Sequence, residues 1–330
     1  MSNHIILNLF DGNTNVTTQV GAGQNLSDEM RTYYSDYLID VAQPELVHDQ
    51  FAQKHPIPKH GGKSVQFRKY SALPKALTPL TEGVTPDGQK INVDSVTAAV
   101  QQYGGYVELS DMLLLTAIDN NLLEATKLMG AQAGSTLDTI TREVLAGGTN
   151  VQYADGTTVT QRGALRKGEP SHYLTVDAVR AAVRTLKRQN AKRINGYYCG
   201  IIHPDVAYDL MSDEKWVHVK TYADPEGIYE GEIGRIEGVR FVETTEAKVF
   251  EGEGADGCDV YATLIIGADA YGVTEVEGGG LQHIVKQLGS AGSGDPLNQR
   301  ATAGWKATKA AVRLNEANMV RIETSASYSA

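Results

Sequence analysis

A stretch without proline, from Ser110 to Ala146, places the strongest constraint on how this chain can fold. Its apolar residues recur at a mean spacing of about 3.6, the α-helical period, at Leu115, Ile118, Leu122, Ala125, Met129, Ala133, Leu137, Ile140 and Val144. Ser110 and Asp111 favour a helix start, and Gly147-Gly148 favours a stop. The pattern therefore predicts a helix of roughly 55 Å, well beyond the usual three or four turns.

Two glycines leave a second interpretation of this stretch open, in which two helices meet near Gly134-Ser135. Further along, the sequence predicts a helix over residues 175–189 with Thr175 as its cap. Another helix is predicted to open at His203-Pro204-Asp205, with proline at the first helical position. Short apolar strands separated by glycine turns follow, so we expect a fold of the α+β class.

Residues 63–109 predict an extended β-hairpin. Val65-Gln-Phe67-Arg and Ile91-Asn-Val93-Asp alternate apolar and polar residues, and Thr85-Pro86-Asp87-Gly88 between them has the composition of a tight turn. Each arm would reach on the order of 50 Å, and its residues are polar or small on both faces. Because an isolated ribbon of that size is marginally stable, we expect another chain to stabilise it.

The composition is that of a globular protein, with 41% hydrophobic and 21% charged residues among 330. No run approaches the roughly 18 apolar residues of a membrane span, and the N-terminus lacks the pattern of a secretory signal. The two cysteines, Cys199 and Cys258, cannot form a disulfide framework, and we expect both to be buried. These features predict a protein that is made and assembled in the cytosol.

The net charge of −10 is unevenly distributed along the chain. Residues 162–193 carry nine Arg or Lys and two acids, whereas residues 205–277 carry 18 acids and five bases. The basic segment could contact phosphate groups, or it could be a solvated helix face that pairs with acidic surface on a neighbouring subunit. We expect the second, and we expect the asymmetry to contribute to contacts between subunits.

Motifs for catalysis, nucleotide binding and metal ligation are absent or incomplete. Gly61-Gly-Lys-Ser64 resembles the end of a phosphate loop, but Ile57 stands where that loop needs glycine. The motifs G-x-S-x-G, H-E-x-x-H and paired C-x-x-C do not occur. We interpret His203 and Asp205 as part of a strand-to-helix turn, and the acidic run 251–257 as a solvated loop. We therefore expect no enzyme activity, no catalytic residue, no cofactor and no metal.

A series of motifs runs in order from about residue 63 to 325. They are Pro79-Leu-Thr-Glu-Gly-Val-Thr-Pro-Asp-Gly88, Gln102-Tyr-Gly-Gly-Tyr-Val-Glu-Leu-Ser-Asp111, Ile202-His-Pro-Asp205, Trp216, Gly231-Glu-Ile-Gly-Arg-Ile-Glu-Gly-Val-Arg-Phe-Val-Glu-Thr-Thr245, Gly267-Ala-Asp-Ala-Tyr-Gly272, Asp295-Pro-Leu-Asn-Gln299 and Gly304-Trp-Lys-Ala307. In this order they resemble the major capsid proteins of tailed phages, specifically the N4-like coat protein family.

The resemblance implies a Hong Kong 97-type coat fold with four parts. These are an N-terminal arm at 1–62, an extended loop at 63–108, a peripheral domain with a long spine helix at 109–195 and 291–330, and an axial domain at 196–290. The tip of the extended loop would contact neighbouring subunits through Glu82, Thr85, Pro86, Asp87 and Gly88.

The resemblance further implies a major capsid protein that assembles with itself, as pentamers and hexamers, into the icosahedral shell around a double-stranded DNA genome. Expected partners are a portal, separate scaffolding or decoration proteins, and packaged DNA held non-specifically, without a membrane. The expected location is the virion capsid, and the host cytoplasm during assembly. The alternative is an encapsulin-like nanocompartment shell protein of the same fold. An enzyme is a third hypothesis, which rests only on isolated His and carboxylate residues.

Overall fold

Fifteen strands and three α-helices make up the part of the chain that the structure describes. The structure, a computed structural model, describes residues 46–56, 63–70, 73–80, 82–83, 85, 87–112, 121–216, 232–275, 281–290 and 295–328. Most of the predicted arm, 1–62, lies outside these residues, so its prediction stays open.

The elements are named in chain order. The helices are α1 (Asn121–Ala146), α2 (Val176–Arg188) and α3 (Pro204–Ser212). The strands are β1 (Gln53–His55), β2 (Ser64–Tyr70), β3 (Val93–Ala99), β4 (Gln101–Ser110), β5 (Val151–Tyr153), β6 (Tyr198–Ile202), β7 (Glu232–Ile236), β8 (Val239–Glu243), β9 (Val249–Phe250), β10 (Val260–Ile266), β11 (Tyr271–Thr274), β12 (Leu281–Lys286), β13 (Arg300–Lys309), β14 (Ala311–Arg313) and β15 (Met319–Thr324).

The predicted long helix is present as α1, which runs without interruption for 26 residues. Four residues of the predicted apolar stripe are buried along it, namely Ala125, Met129, Ala133 and Leu137. Because α1 is helical through Gly134-Ser135, the alternative of two helices with a break there is wrong. Residues 111–112 are also helical, as the predicted start at Ser110 requires, whereas 113–120 lie outside the described residues.

Two arginines from the C-terminal strands close the end of α1. Arg313 donates to the carbonyl of Val144, and Arg321 donates to the carbonyls of Ala146 and Gly148. The last carbonyls of a helix have no partner within it, and positive charge there also opposes the negative end of the helix dipole. The C-terminal strands therefore contact the end of the long helix.

A seven-stranded sheet supports α2 and α3. Its path is β5-β15-β10-β6-β8-β7, and β9 pairs with β10. The pairs β5–β15 and β6–β8 are parallel, whereas β15–β10, β10–β6 and β8–β7 are antiparallel. Apolar residues of both helices and of the sheet form one core: Val179, Val183, Leu186, Val206, Leu210, Ile265, Val320 and Ile322. The caps predicted for the two helices, Thr175 and His203, are both present.

The chain forms two compact units whose boundaries differ from the predicted domains. One contains residues 102–134 and 279–307, and the other contains residues 46–101, 135–278 and 308–330, with the boundary inside α1. Strand β15, from the predicted peripheral domain, pairs with β10, from the predicted axial domain. The C-terminal strand thus returns to the centre of the sheet, and the predicted divisions at 195/196 and 290/291 stay a prediction.

The first unit contains the three-stranded sheet β12-β13-β4. Gly104 of β4 lies so close to β13 that an added Cβ would be 2.7 Å from the carbonyl oxygen of Trp305. The indole Nε1 of Trp305 donates to the side-chain oxygen of Gln132 at 3.0 Å, which joins this sheet to the first half of α1.

The predicted hairpin forms, but its paired part is short. β2 and β3 pair antiparallel over seven residues, from Ser64 opposite Ala99 to Tyr70 opposite Val93. The described residues between these strands form no further strand. Arms of about 50 Å were therefore the wrong expectation. The intervening segment contains three prolines, at 74, 79 and 86, and proline cannot donate a hydrogen bond to a strand ladder.

Candidate functional site

The loop between β2 and β3 exposes large apolar side chains to solvent. The exposed fractions are 82% for Leu77, 77% for Leu80 and 68% for Ile91. Sequence reasoning missed these leucines because it treated the whole segment as polar and small. Three large apolar side chains are thus exposed within residues 77–91, and such exposure has the character of an interaction surface.

The predicted tip residues lie on this loop. Glu82, Thr85, Asp87 and Gly88 are all exposed, whereas Pro86 lies outside the described residues. A Cβ added at Gly83 or Gly88 would meet no atom within 4 Å. The described tip residues therefore face open space, and the predicted contact with neighbouring subunits stays a prediction.

An aromatic contact fixes the base of the hairpin. Phe67 of β2 is completely buried and lies against Gly272 of β11, where a Cβ would overlap the aromatic ring. The imidazole of His55 meets the edge of the same ring at a centroid distance of 4.9 Å. Buried Ala310 and Leu314 belong to the same apolar cluster. The loop thus extends from a rigid base rather than from a free ribbon.

A buried polar cluster holds residues 46–55, the described part near the end of the predicted arm 1–62. His48 donates its backbone N–H to Asp138 of α1 at 2.7 Å, and its Nδ1 lies 2.6 Å from the second oxygen of that carboxylate. Asp49 forms an ion pair with Lys309 and accepts a hydrogen bond from Thr141 at 2.7 Å. All five side chains are buried.

The hydroxyl of Tyr271 completes this cluster by donating to the carbonyl of His48. Burial raises the pKa of the Tyr271 hydroxyl well above its usual value, so it remains a donor at any ordinary pH. Sequence reasoning missed the cluster, although Asp138 and Thr141 have the helical spacing of the buried stripe and offered a signal. These contacts anchor residues 46–55 firmly to α1 and β13.

The two oppositely charged segments meet within one chain. Arg162 pairs with Glu323 at 2.7 Å and also with Glu253, while Arg180 pairs with Glu237 at 2.8 Å. Part of the charge asymmetry is therefore neutralised inside the subunit, whereas the expected pairing was with acidic surface on a neighbour. That remaining charges act between subunits stays a prediction.

The other chemical candidates have structural roles. Cys199 and Cys258 are buried as expected, and burial raises the pKa of the Cys199 thiol to about 11. His203 accepts from the backbone N–H of Asp205 at 3.2 Å, which is the predicted strand-to-helix turn. The described residues contain no group of three or more His, Cys, Asp or Glu side chains that could hold a metal ion. In the same part of the chain, every helix is too short or too polar to span a bilayer.

Comparison with known protein families assigns the chain to one of them. The phage capsid protein family matches residues 78–292, which is more than half of the sequence and includes the loop from residue 78 onward, with Leu80 but not Leu77. The chain belongs to the phage capsid protein family. It is therefore a structural protein of a phage capsid shell rather than an enzyme. A search of curated protein sequences found no match.

Solved structures of similar fold agree with this family. The capsid of cyanophage Pam1 is 13% identical, with a TM-score of 0.66 over 97% of this chain and 99% of that one. The capsid of Ralstonia phage GP4 is 14% identical, with a TM-score of 0.62 over 81% and 84%. A virus-like particle from Pyrococcus furiosus is 10% identical, with a TM-score of 0.52 over 89% and 99%. The mixed α/β fold of this capsid protein is thus shared with proteins of assembled shells.

Proposed function

We propose that this capsid protein is the major capsid protein of a tailed double-stranded DNA phage, of the N4-like group with the Hong Kong 97-type fold. Pentamers and hexamers of the chain would build an icosahedral shell around the genome. The observation that carries the proposal is the exposed apolar loop on a rigidly anchored hairpin, in a chain that belongs to the phage capsid protein family.

Burial of this loop on a neighbouring subunit supplies the driving force for assembly. Moving a leucine side chain from water into an apolar contact contributes about 1.5–3 kcal/mol. Leu77 and Leu80, at 82% and 77% exposure, have most of that stabilisation still to gain. Contacts of unlike surfaces close into rings, and a loop that reaches beyond its own ring joins one ring to the next.

The remaining parts follow from this arrangement. The arm at 1–62 would cross to a neighbour, and the buried cluster around His48 would hold it where it leaves the subunit. Contacts are proposed through Glu82, Thr85, Pro86, Asp87 and Gly88 at the loop tip, within the virion capsid. Partners would be other copies, a portal, separate scaffolding or decoration proteins, and packaged DNA, with assembly in the host cytoplasm.

Removal of the loop tests the proposal. A deletion of residues 80–92 is expected to leave soluble, folded subunits that form no shells in negative-stain micrographs. A milder variant, Leu77→Ser with Leu80→Ser, keeps the loop length and is expected to reduce shell yield strongly. A matched control, Lys75→Ser with Lys90→Ser, changes two equally exposed positions of the same loop and should assemble.

The protomer's Tm should be unchanged in all three variants, because the altered side chains are exposed in the single chain. Intact shells from the deletion would refute the role of the loop. A wild-type chain that stays monomeric under all assembly conditions would refute the proposed function itself.

A nanocompartment shell is the second candidate, and the fold similarity to the Pyrococcus furiosus virus-like particle favours it. The contents of purified particles distinguish the two. Genomic double-stranded DNA supports the phage capsid, whereas enclosed enzyme supports the nanocompartment.

A further inference from the structure

A cluster of basic side chains lies at one end of α2 in this otherwise acidic protein. We define the basic patch by its six members: Arg184, Lys187, Arg188, Lys192, Arg193 and Arg235. The first five fall within residues 184–193, which contain no acid, whereas the whole chain has a net charge of −10.

The periodicity of α2 explains why these side chains share a surface. Its buried face, with Val179, Val183 and Leu186, packs on the seven-stranded sheet. Arg184, Lys187 and Arg188 stand three or four residues apart and are all exposed on the opposite face. The turn that follows adds exposed Lys192 and Arg193, so positive charge continues beyond the helix.

Two contacts join the turn after α2, residues 189–197, to β7 and to the turn between β7 and β8. A guanidinium nitrogen of Arg193 lies 3.8 Å from the position of a Cβ built on Gly238, in the turn between β7 and β8. On β7, the Arg235 guanidinium lies 4.8 Å from the ring centroid of Tyr197, a side chain 38% exposed. The patch therefore combines six cations with an exposed aromatic ring.

Four members of the patch differ from Arg162 and Arg180 in their ion pairing. Arg162 and Arg180 form ion pairs with acids of the same chain. The partner of Arg180 is Glu237, in the turn that follows β7. Arg184, Lys187, Arg188 and Lys192 form no ion pair with any described residue. The helix dipole accounts for Lys187 and Arg188 in the last turn, but it does not account for the cations beyond the helix.

We propose that the basic patch binds the phosphate backbone of double-stranded DNA without sequence preference, and so marks the surface that faces the packaged genome. This inference rests on the proposed function, since it names the residues that contact the expected DNA. Clustered Arg and Lys gain affinity for DNA by releasing the counterions condensed on it. Tyrosine and arginine side chains also contact phosphate oxygens directly.

The composition of the patch favours DNA over an acidic surface of a second copy. Protein interfaces have apolar cores in which lysine is depleted. Among the described residues of α2 and its following turn, Tyr197 is the only large hydrophobic side chain that is exposed. A surface of cations without an apolar centre matches a charged polymer better than a folded partner.

The test compares two adjacent basic pairs of the same segment. Lys187→Gln with Arg188→Gln removes two charges from the patch, and Arg166→Gln with Lys167→Gln removes two exposed charges outside it. Binding of the unassembled full-length protein to a duplex of about 24 base pairs is measured by fluorescence anisotropy across a salt series.

The patch variant should reduce the slope of log K against log salt by about 1.8, since each phosphate contact contributes about 0.9. The same slope predicts about 60-fold weaker binding at about 0.1 M salt. The control pair should bind as the wild type does. Equal effects of the two pairs, or no effect of either, would overturn the inference.

Shell formation by the same proteins keeps the two proposals distinguishable. If the patch variant binds the duplex normally but forms no shells, the patch contacts another copy, and the inference fails while the proposed function stands. If the wild type forms no shells, the proposed function fails whatever the duplex affinity. Unchanged thermal unfolding of both variants confirms that neither substitution disturbs the fold.

Discussion

The substitution Gly272→Ala is expected to disturb the base of the hairpin, because the Phe67 ring packs directly against Gly272. A Cβ at this position would lie closer than 3.0 Å to three carbons of the Phe67 ring. Phe67 is completely buried, so its ring has no solvent-exposed space into which it can move. Insertion of a carbon atom into a packed core typically costs 1–3 kcal/mol, and we expect about 2 kcal/mol here.

This cost should appear in two measurements. A loss of about 2 kcal/mol lowers the Tm of a protein of 330 residues by about 3 °C, which calorimetry resolves. Shell yield should fall further than stability alone explains, because a displaced Phe67 changes the direction in which the loop leaves the body. Shell yield is therefore compared at a temperature where the variant protomer is fully folded.

A double variant separates the proposed overlap from a general loss of strand propensity. Phe67→Leu alone removes packing and is expected to destabilise the protein. Combined with Gly272→Ala, the smaller leucine leaves room for the new methyl group, so the double variant should be less destabilised than the sum of the single variants. Additive losses, or a Gly272→Ala variant as stable as the wild type, would refute the reasoning.

Two further predictions concern buried polar groups. Lys309→Met leaves Asp49 buried without its partner and should lower the free energy of unfolding, measured with denaturant, by about 3–5 kcal/mol. Adding Asp49→Asn should recover part of this loss. No recovery would contradict the ion pair. The second prediction concerns His203. Burial lowers the pKa of its imidazole, while the nearby Asp205 and Glu243 act in the opposite direction. The neutral ring accepts the hydrogen bond that caps α3. The stabilisation by neutral His203 is therefore complete above pH 6.5, the approximate pKa of histidine in the unfolded chain. It is lost as pH falls through the lower pKa that His203 has in the folded protein. His203→Asn keeps an acceptor without a titrating group, so stability should fall less between pH 7.5 and 5.5; an equal fall would exclude His203 as a cause.

Local signals in the sequence were sufficient for several elements. The spacing of apolar residues predicted α1, and single capping residues located the starts of α2 and α3 at Thr175 and His203. The alternating pattern at Val65 predicted β2 and its pairing with β3. In each case the determining interactions lie within a few residues, or within one hairpin, along the chain.

Features that depend on distant residues were not predictable in this way. The position of β15 between β5 and β10 follows from pairings with strands far away in sequence. The ion pair of Asp49 with Lys309 joins residues 260 positions apart. At the candidate site, turn-forming residues predict a loop tip that stays a prediction, and the exposure of Leu77 depends on how far β2 and β3 remain paired.

The central position of β15 has a consequence for how the subunit is made. Neither β5 nor β10 can complete its pairing until residue 324 has left the ribosome, and the base of the hairpin likewise waits for Ala310 and Leu314. At about 5–20 residues per second, the ribosome needs on the order of 10–40 s to translate from the hairpin to that strand. During this interval, the nascent chain therefore carries the exposed Leu77 and Leu80 on a hairpin whose base is not yet packed against Ala310 and Leu314. If the loop contacts neighbouring subunits as proposed, its rigid base becomes available only after the last strand is in place.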